Sequence, residues 1–258
     1  MRFAVAVKQV PDTMEMSVDE NGSLVRAGVP SILNPYDEYA LSRVLSMRCE
    51  GDEVIVYTMG PPQARQALVR CLEMGADRAF LLTDRDFAGA DVWATARTIT
   101  AFLLRHIPDA DVYVFGRQAI DGDTGQVPYE VAAQLGVQQF AYTESLSRTD
   151  DGLVAVQDYG DVRRTCSVPK GSVVSFGSVD PNGTLVSISD YLSAQDREWE
   201  EVDRIAIGLG LYSVGLKGSM TRIVSTTASS GVRRNRKVEI TDPAKGAGFI
   251  IDELEAVR

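Results

Sequence analysis

Histidine is almost absent from this chain, and cysteine is rare. His106 is the only histidine among 258 residues, and Cys49, Cys71 and Cys166 are widely separated with no CxxC pair. A single histidine excludes a histidine-based catalytic triad and a multi-histidine metal site. Because His106 lies at the end of a predicted helix, just before Pro108, we expect it to interact with the helix C-terminal carbonyls. We therefore predict no catalytic side chain and no metal site.

Basic residues are outnumbered, and long apolar runs are missing. The chain has 26 Lys and Arg against 36 Asp and Glu, which gives a formal net charge of −10. Such a chain is not expected to bind nucleic acid, and its one basic run, Arg233–Lys237, is short. No apolar run approaches the roughly 18 residues that span a membrane. The first residues, Met1–Thr13, are expected to form a strand rather than a signal peptide. The cysteines are expected to be reduced, mostly buried thiols of a cytoplasmic protein.

The common phosphate-binding motifs are also missing. There is no GxGxxG after the first predicted strand and no GxxxxGK[ST] anywhere in the chain. Neither the usual dinucleotide-binding fold nor a P-loop is supported. The composition, 45% hydrophobic and 24% charged, is ordinary for a globular protein. Its length allows one large domain or one domain with appendages.

Predicted strands and helices alternate over the first half of the chain. The strands are apolar and β-prone: Phe3–Val7, Glu53–Thr58, Ala79–Leu82 and Val112–Phe115. Helical spacing of apolar residues occurs in Glu38–Cys49, Gln63–Met74, Asp91–Ile107 and from Val127 onwards. This alternation predicts a parallel sheet with helices on both faces.

From Phe140 the pattern changes to consecutive strands, predicted at Ala141–Leu146, Leu153–Asp158, Val162–Val168 and Ser172–Ser178. We expect these strands to form an antiparallel edge of the parallel sheet. Further on, Val186–Trp199 is predicted to contain a short helix and Phe249–Val257 a terminal helix. We predict that residues 1–180 form an α/β nucleotide-binding domain. Residues 181–258 are then an arm that contacts a partner.

The clearest candidate site is a strand, a small-residue turn and a helix start within Asp111–Gly136. Gly116 ends the strand, Arg117–Gln126 is a polar loop, and Pro128 occupies the first helical turn. Free backbone N–H groups and the positive end of the helix dipole favour an anion there. We therefore predict a nucleotide phosphate on this loop, with side-chain donors from Arg117, Thr124 and Gln126. Asp121 and Asp123 either cap the helix and brace the turn, or one of them binds ribose hydroxyls.

Three other loops follow strand ends, Lys8–Asp12, Asn34–Asp37 and Met59–Pro62. Ligands of doubly wound sheets bind outside the carboxyl ends of strands, so these loops could enclose an adenine, a ribose and phosphates. A plain helix cap by Asn34 or Asp37, and a plain tight turn at Gly60–Pro62, remain alternatives. The residues alone indicate an adenine-nucleotide-binding α/β domain with a partner-contacting tail.

Several motifs resemble the β subunit of electron-transfer flavoproteins, and together they cover nearly the whole chain. They are VAVKQVPDT at Val5–Thr13, ILNPYDEYAL at Ile32–Leu41, TMGPPQA at Thr58–Ala64, MGADRAFLLTDRDFAGAD at Met74–Asp91, GRQAIDGDTGQV at Gly116–Val127 and GLKGSMT at Gly215–Thr221. The resemblance implies a doubly wound, mainly parallel sheet of adenine-nucleotide-binding (HUP-like) topology, with antiparallel edge strands and an extended C-terminal arm. It also implies a heterodimer with a larger, FAD-binding α subunit.

The family divides according to the nucleotide that the β subunit holds. The common type holds structural AMP, and the bifurcating type holds a second FAD. The forms KQVPDT, MGPPQA, DGDT and GLKGS resemble the bifurcating group. Gly122, which interrupts the aspartates, removes a side chain where a larger ligand could approach. The resemblance therefore implies FAD in this chain, with AMP as the alternative. A stand-alone adenine-nucleotide-binding regulator is a third hypothesis.

Resemblance to the bifurcating group also implies the electron route. NADH delivers a hydride to the FAD of the β subunit, and one electron then goes to ferredoxin or flavodoxin. The other passes through the α-subunit FAD to an acyl-CoA dehydrogenase-like partner. The flavin performs the redox chemistry, and the protein positions and tunes it.

The family's nucleotide contacts, together with the strand–turn–helix pattern, predict one set of cofactor-binding residues. The set is Ala6, Asn34, Pro35, Tyr36, Asp37, Met59, Gly116, Arg117, Ile120, Asp121, Gly122, Asp123, Thr124, Gly125, Gln126, Val127 and Val131. The partner-recognition region of the family corresponds to Ser187–Glu198, whose sequence departs from the usual forms. Leu192 is the candidate apolar anchor by position, and packing on its own domain is the alternative.

Overall fold

The computed structural model describes residues 1–12, 30–180, 182–194, 197–222, 224, 240 and 242–255. Contacts divide the chain into two compact units, Met1–Val224 and Ser225–Arg258. The first unit contains an α/β fold around one large sheet. In the second unit a single helix, Pro243–Glu255, lies within the described residues.

The strands within the described residues are β1 (Arg2–Ala6), β2 (Gln9–Pro11), β3 (Ser31–Leu33), β4 (Glu53–Met59), β5 (Arg78–Leu82), β6 (Val112–Gly116), β7 (Gln139–Thr149), β8 (Gly152–Asp158), β9 (Arg163–Val168), β10 (Ser172–Phe176) and β11 (Trp199–Val202). The α-helices are α1 (Pro35–Ser46), α2 (Arg65–Met74), α3 (Val92–His106), α4 (Val127–Leu135), α5 (Ile188–Ala194), α6 (Gly215–Gly218) and α7 (Pro243–Glu255). In the alternating first half, the predicted strands and helices are confirmed with small shifts at their ends.

The large sheet has nine strands in the order β11-β5-β4-β1-β6-β10-β7-β8-β9. All neighbours from β11 to β7 pair in parallel, whereas β8 and β9 are antiparallel. The chain moves from β1 outwards to β4 and β5, and then returns to β6 on the other side of β1. The strand order therefore reverses between β1 and β6, which is where doubly wound sheets bind ligands.

Helices cover both faces of this sheet, as the alternation predicted. Phe3 and Val5 of β1 pack with α1 and α2 in one buried cluster. Ala4, between them, packs with α3 and α4 in the other cluster. Successive side chains of a strand point to opposite faces, so the parallel strands contribute to two cores. The expected doubly wound, mainly parallel α/β fold with antiparallel edge strands is present.

One strand of the predicted antiparallel edge lies elsewhere. β10 is parallel to both neighbours and sits between β6 and β7 in the interior of the sheet. The first residues of β7 pair with β10 and its later residues with β8, with a register shift between Thr143 and Ser145. Every residue of β10 is buried, as a central parallel strand requires. The antiparallel prediction for Ser172–Ser178 was therefore wrong.

The short strands β2, β3 and β11 and the one-turn helix α6 were not predicted. Part of the expected Lys8–Asp12 loop is strand β2, which pairs antiparallel with β3. β11 adds a parallel edge strand beside β5, at the end of the predicted helix Val186–Trp199. The large sheet thus continues to Val202, and the predicted division at residue 180 stays a prediction. Residues 256 and 257, the last two of the predicted terminal helix, lie outside the described residues, and so does the basic run Arg233–Lys237.

The cysteines and the histidine do not all lie where predicted. The three cysteines are free, but Cys71 is buried, Cys166 half-buried and Cys49 exposed, so "mostly buried" was too broad. His106 ends α3, and its ring stacks on Phe102 with centroids 5.1 Å apart. Its buried Nε2 contacts no hydrogen-bond partner among the described residues.

In the described part of the chain, no helix combines the length and hydropathy that a membrane span needs.

Candidate functional site

The loops after β1 and β6 and the start of α1 meet at the carboxyl ends of the central strands. β1 and β6 are neighbours in the sheet. Hydrogen bonds join the loops that follow them to the start of α1, and an ion pair joins the two loops to each other. Parallel strands present their carboxyl ends at one edge, which explains why chain segments distant in sequence come together here. This group of loops is called the switch-point site below.

Asn34 joins α1 to the loop after β6. It lies at the N-cap position of α1, but its side chain makes no capping hydrogen bond. Its fully buried amide instead donates to Gln118 O at 2.8 Å and accepts the Ile120 N–H at 3.3 Å. Its backbone N–H donates to Lys8 O at 2.8 Å. Asn34 therefore connects three segments of the site, and the alternative of a plain side-chain cap is wrong.

Asp37 holds the same segments together from the first turn of α1. Its carboxylate accepts the Lys8 N–H at 2.9 Å and is 7% exposed. Burial raises the pKa of Asp37 to about 7, although hydrogen bonds from Asn34 and from the backbone of Lys8 and Gly116 oppose the shift. A side chain at Gly116 would place Cβ 2.6 Å from the Tyr36 carbonyl carbon. Glycine is required there because α1 approaches the end of β6 so closely.

The two aspartates of the loop brace it rather than cap α4. Lys8 Nζ lies 2.6 Å from an Asp121 carboxylate oxygen, and the Asp121 side chain is 2% exposed. Asp123 accepts a hydrogen bond from the Gln118 side chain and has a positive φ of 52°. The N-cap of α4 is Gln126, with no side-chain capping bond. The capping alternative was therefore wrong, and Lys8 compensates a carboxylate that would otherwise repel a phosphate.

The start of α4 offers unpaired backbone donors. The N–H groups of residues 124–127 donate to no acceptor within the described residues. Gly125 has a φ of +60°, which favours glycine. No described atom lies within 4 Å of a Cβ built on Gly122, and its φ is not left-handed. The protein's own folding therefore does not require glycine at 122. Free donors at the positive end of a helix favour an anion.

Arg117 contacts an aromatic ring beside the loop. Its guanidinium carbon lies 5.3 Å from the ring centroid of Tyr142, a cation–π contact. Tyr142 has a φ of +49°, which is unusual for a residue with a side chain, and its ring meets Tyr159 edge-on at 5.8 Å. In this structure Arg117 supports an aromatic cluster beside the loop, and its role as a donor to a ligand stays a prediction.

Five other predicted residues are half-buried at the site, and a sixth is fully buried. Ala6 and Met59 are half-buried at the carboxyl ends of neighbouring strands. Pro35, Tyr36 and Ile120 are also half-buried, at the start of α1 and in the loop after β6. Val131 is fully buried in the core beneath α4, so its side chain supports the helix from behind.

Sequence reasoning placed Lys8 in a candidate loop but did not predict its role, and it missed Gln118. Lys8 provides both the backbone donor to Asp37 and the amine that pairs with Asp121. Gln118 provides the carbonyl for Asn34 and the amide for Asp123. The position of Lys8 after a central strand was the available signal, whereas Gln118 had none.

Leu192 lies on an exposed apolar face. It is 60% exposed on α5, and Ile188, four residues before it, lies on the same side of the helix and is also exposed. Tyr191, three residues after Ile188, is exposed as well. Leu185, just before the helix, is 95% exposed. Ala194, the last residue of α5, is buried in the core. Leu192 therefore does not pack on its own domain within the described residues.

A doubly wound sheet with a small-residue loop and a free helix start at its switch point is the arrangement at which α/β proteins commonly bind nucleotides. Comparison with known proteins gives the family: a model described as the electron transfer flavoprotein domain matches residues 21–183. The chain belongs to the electron-transfer flavoprotein family, as a β subunit.

Similar proteins agree with this assignment along the whole chain. The electron transfer flavoprotein subunit beta of Clostridium acetobutylicum is 39% identical over 256 residues, covering 98% of this chain and 93% of that protein. The caffeyl-CoA reductase-Etf complex subunit CarD of Acetobacterium woodii is 37% identical over 257 residues, covering 97% and 92%. Protein FixA of Sinorhizobium fredii is 32% identical over 263 residues, covering 98% and 92%.

Proposed function

We propose that this β subunit binds FAD at the switch-point site and passes electrons by flavin-based bifurcation within an αβ heterodimer. The observation that carries the proposal is the loop before α4, where free backbone donors adjoin a glycine that the protein's own folding does not require. The bifurcating forms of the loop motifs support FAD over AMP. The similarity to a subunit of a caffeyl-CoA reductase-Etf complex supports a role beside an acyl-CoA-converting enzyme.

The residues of the site fit an adenine nucleotide. The backbone N–H groups of residues 124–127 would hold its phosphates at the positive end of α4. Ala6 and Met59 would border the adenosine, because they end adjacent strands and remain partly exposed. Asp123, which is exposed, is available to the ribose. Asn34 and Asp37 have little or no exposed surface, so they fix the loops around the ligand.

The chain's own contribution is binding and positioning. FAD bound there would supply the redox chemistry of hydride and single-electron transfer, with NADH as the donor. The acceptors would be ferredoxin or flavodoxin and, through the α subunit, an acyl-CoA dehydrogenase-like enzyme. Lys8 neutralises Asp121, which lowers the negative charge of the loop that would hold the phosphates. No side chain of this chain acts as an acid or base in the proposal.

The test is a count of cofactors in the purified αβ complex. After acid release, we expect two FAD and no AMP per heterodimer. One FAD with one AMP would overturn the proposal in favour of the non-bifurcating alternative.

A pair of variants at Gly122 tests whether the ligand lies on the loop. Gly122→Leu is expected to lower the flavin content towards one FAD per heterodimer, because its side chain would project into the open space beside the free donors. Gly122→Ala adds only a methyl group and serves as the control. Full flavin content in the Leu variant would show that the ligand does not approach Gly122.

The exposed face of α5 is the proposed contact with the acyl-CoA dehydrogenase-like partner, with Leu192 as its anchor. Leu192→Ala is expected to raise the KM for electron exchange with a purified short-chain acyl-CoA dehydrogenase. Leu104→Ala is the matched control, because Leu104 is 58% exposed against 60% for Leu192 but lies on α3. An equal effect of both variants would contradict this assignment.

A further inference from the structure

An ion pair between two helices holds the turn that leads into α5. Glu38 of α1 and Arg70 of α2 lie 3.3 Å apart, measured from Oε1 to Nη2. Glu38 Oε1 accepts the Thr184 N–H at 3.2 Å, and Arg70 Nη2 donates to the Thr184 carbonyl at 2.6 Å. Both backbone polar groups of one residue are thus bound by the two members of an ion pair. This arrangement is called the Thr184 clasp below.

The clasp is the long-range attachment of this turn. In the described part of the chain, the other hydrogen bonds of residues 182–184 go to Asp180, within the turn itself. A cavity of about 480 Å³ lies beside the turn and is lined by Glu38, Arg70 and residues 182–184. Side-chain packing therefore does little to fix the turn, and Leu185, which follows it, is 95% exposed.

The far end of α5 has separate anchors. Ala194 is buried in the core, and Arg197 donates to the Ala76 carbonyl after α2. At the near end, Ser187 Oγ accepts the Asp190 N–H at 3.1 Å, a local cap that starts the helix but does not attach it to the domain. The exposed apolar residues lie between the clasp and the buried end.

We propose that Glu38 and Arg70 are positioning residues that fix the partner-binding face of α5 relative to α1. The inference rests on the proposed role of that face. Glu38 follows Asp37, so the helix that organises the switch-point site also holds the turn before α5. A face that is already ordered loses less conformational freedom on binding, and this loss opposes association.

Hydrogen exchange in the αβ complex tests the positioning without a partner. Glu38→Ala removes the acceptor for Thr184, whereas Glu38→Gln keeps an Oε1 at that place. We expect amides of residues 184–191 to exchange about fivefold faster in the Ala variant, the effect of losing one hydrogen bond, and near the wild-type rate in the Gln variant. Glu73→Ala, which removes only the looser 3.8 Å neighbour of Arg70, is the control. Unchanged exchange in Glu38→Ala would overturn the inference.

Kinetics tests the consequence for docking. The assay uses a purified short-chain acyl-CoA dehydrogenase that has been reduced by its acyl-CoA. Glu38→Ala is expected to raise the KM for the αβ complex about fivefold, with kcat and flavin content unchanged. Glu38→Gln is expected to restore the wild-type KM. If Leu192→Ala raises the KM and Glu38→Ala does not, the positioning role is wrong. If Leu192→Ala leaves the KM unchanged, the proposed face is wrong, and the exchange experiment still decides the role of the clasp.

Discussion

Gly116 and Gly122 belong to the same strand–loop–helix unit, but their missing side chains have different consequences. At Gly116 a Cβ would lie 2.6 Å from the Tyr36 carbonyl carbon and 2.8 Å from the Asp37 nitrogen, whereas at Gly122 it would meet no described atom within 4 Å. The first glycine is required by the approach of α1. The second is available to a ligand.

Alanine at these two positions separates the two roles. Gly116→Ala should lower the free energy of unfolding of the αβ complex by about 2 kcal/mol or more, because backbone atoms must move. Gly122→Ala should change it by less than about 0.5 kcal/mol. Denaturant titration measures both values, and similar losses would contradict the close approach at Gly116.

Asp37 should make stability depend on pH between about 4 and 7. Burial raises its pKa from 3.8 to about 7 in the folded chain, so between these values the folded state binds the proton more tightly than the unfolded state. Its contribution to stability is therefore complete below pH 4 and is lost as the pH rises through 7, by an amount on the order of 4 kcal/mol.

Asp37→Asn tests this sign, because asparagine keeps an oxygen acceptor for the Lys8 N–H but does not titrate. Thermal unfolding of both proteins from pH 4 to 8 should show that the wild type loses stability relative to the variant as the pH rises. A constant difference across that range would show that Asp37 has an ordinary pKa.

The loop between β6 and α4 depends on a neighbouring helix for its shape. Asn34, at the start of α1, binds Gln118 O and the Ile120 N–H from a buried position. A lost hydrogen bond of this kind leaves buried backbone groups without partners, which costs about 1–3 kcal/mol.

Asn34→Ala should therefore speed the amide exchange of residues 118–122 and reduce the nucleotide content of the αβ complex. Gln9→Ala is the control, because it removes only an exposed hydrogen bond to Gln66. Normal exchange in the loop of the Asn34 variant would contradict its role as the connector.

Across the molecule, Asp52 joins the central strands to the antiparallel edge. It precedes β4 and pairs with Arg148 of β7 and with the amino group of Met1. Burial alone would raise the pKa of Asp52, but hydrogen bonds from that amino group, the Cys49 N–H and Arg148 lower it from 3.8 to about 2. Its contribution, roughly 2 kcal/mol, is therefore present above pH 4 and is lost as the pH falls towards 2.

Asp52→Asn should reduce stability at pH 7 and shift acid unfolding to a higher pH. The loss relative to the wild type should shrink as the pH approaches 2, because the wild-type carboxylate is then protonated too. Denaturant titrations between pH 2 and 7 measure this. A loss that stays constant over that range would show that the charge of Asp52 does not matter.

The sequence by itself determined the alternating elements and the place of the candidate loop. Apolar strands, helical spacing and the glycine-bearing loop after Val112–Phe115 depend on short-range periodicity, steric limits and helix-end chemistry, which are properties of neighbouring residues. The family resemblance rested on the same local motifs. For this reason the loop after β6 was predicted together with the helix start that the structure contains.

Only the tertiary structure decided which segments became neighbours. β10 lies between β6 and β7, and β11 lies beside β5, because strand pairing satisfies backbone groups and buries apolar faces over long sequence distances. Likewise Asn34 binds the loop rather than its own helix, and Lys8 meets Asp121, only after the sheet has brought their loops to one edge. Such partners are fixed by packing in three dimensions, and one-dimensional patterns do not contain them.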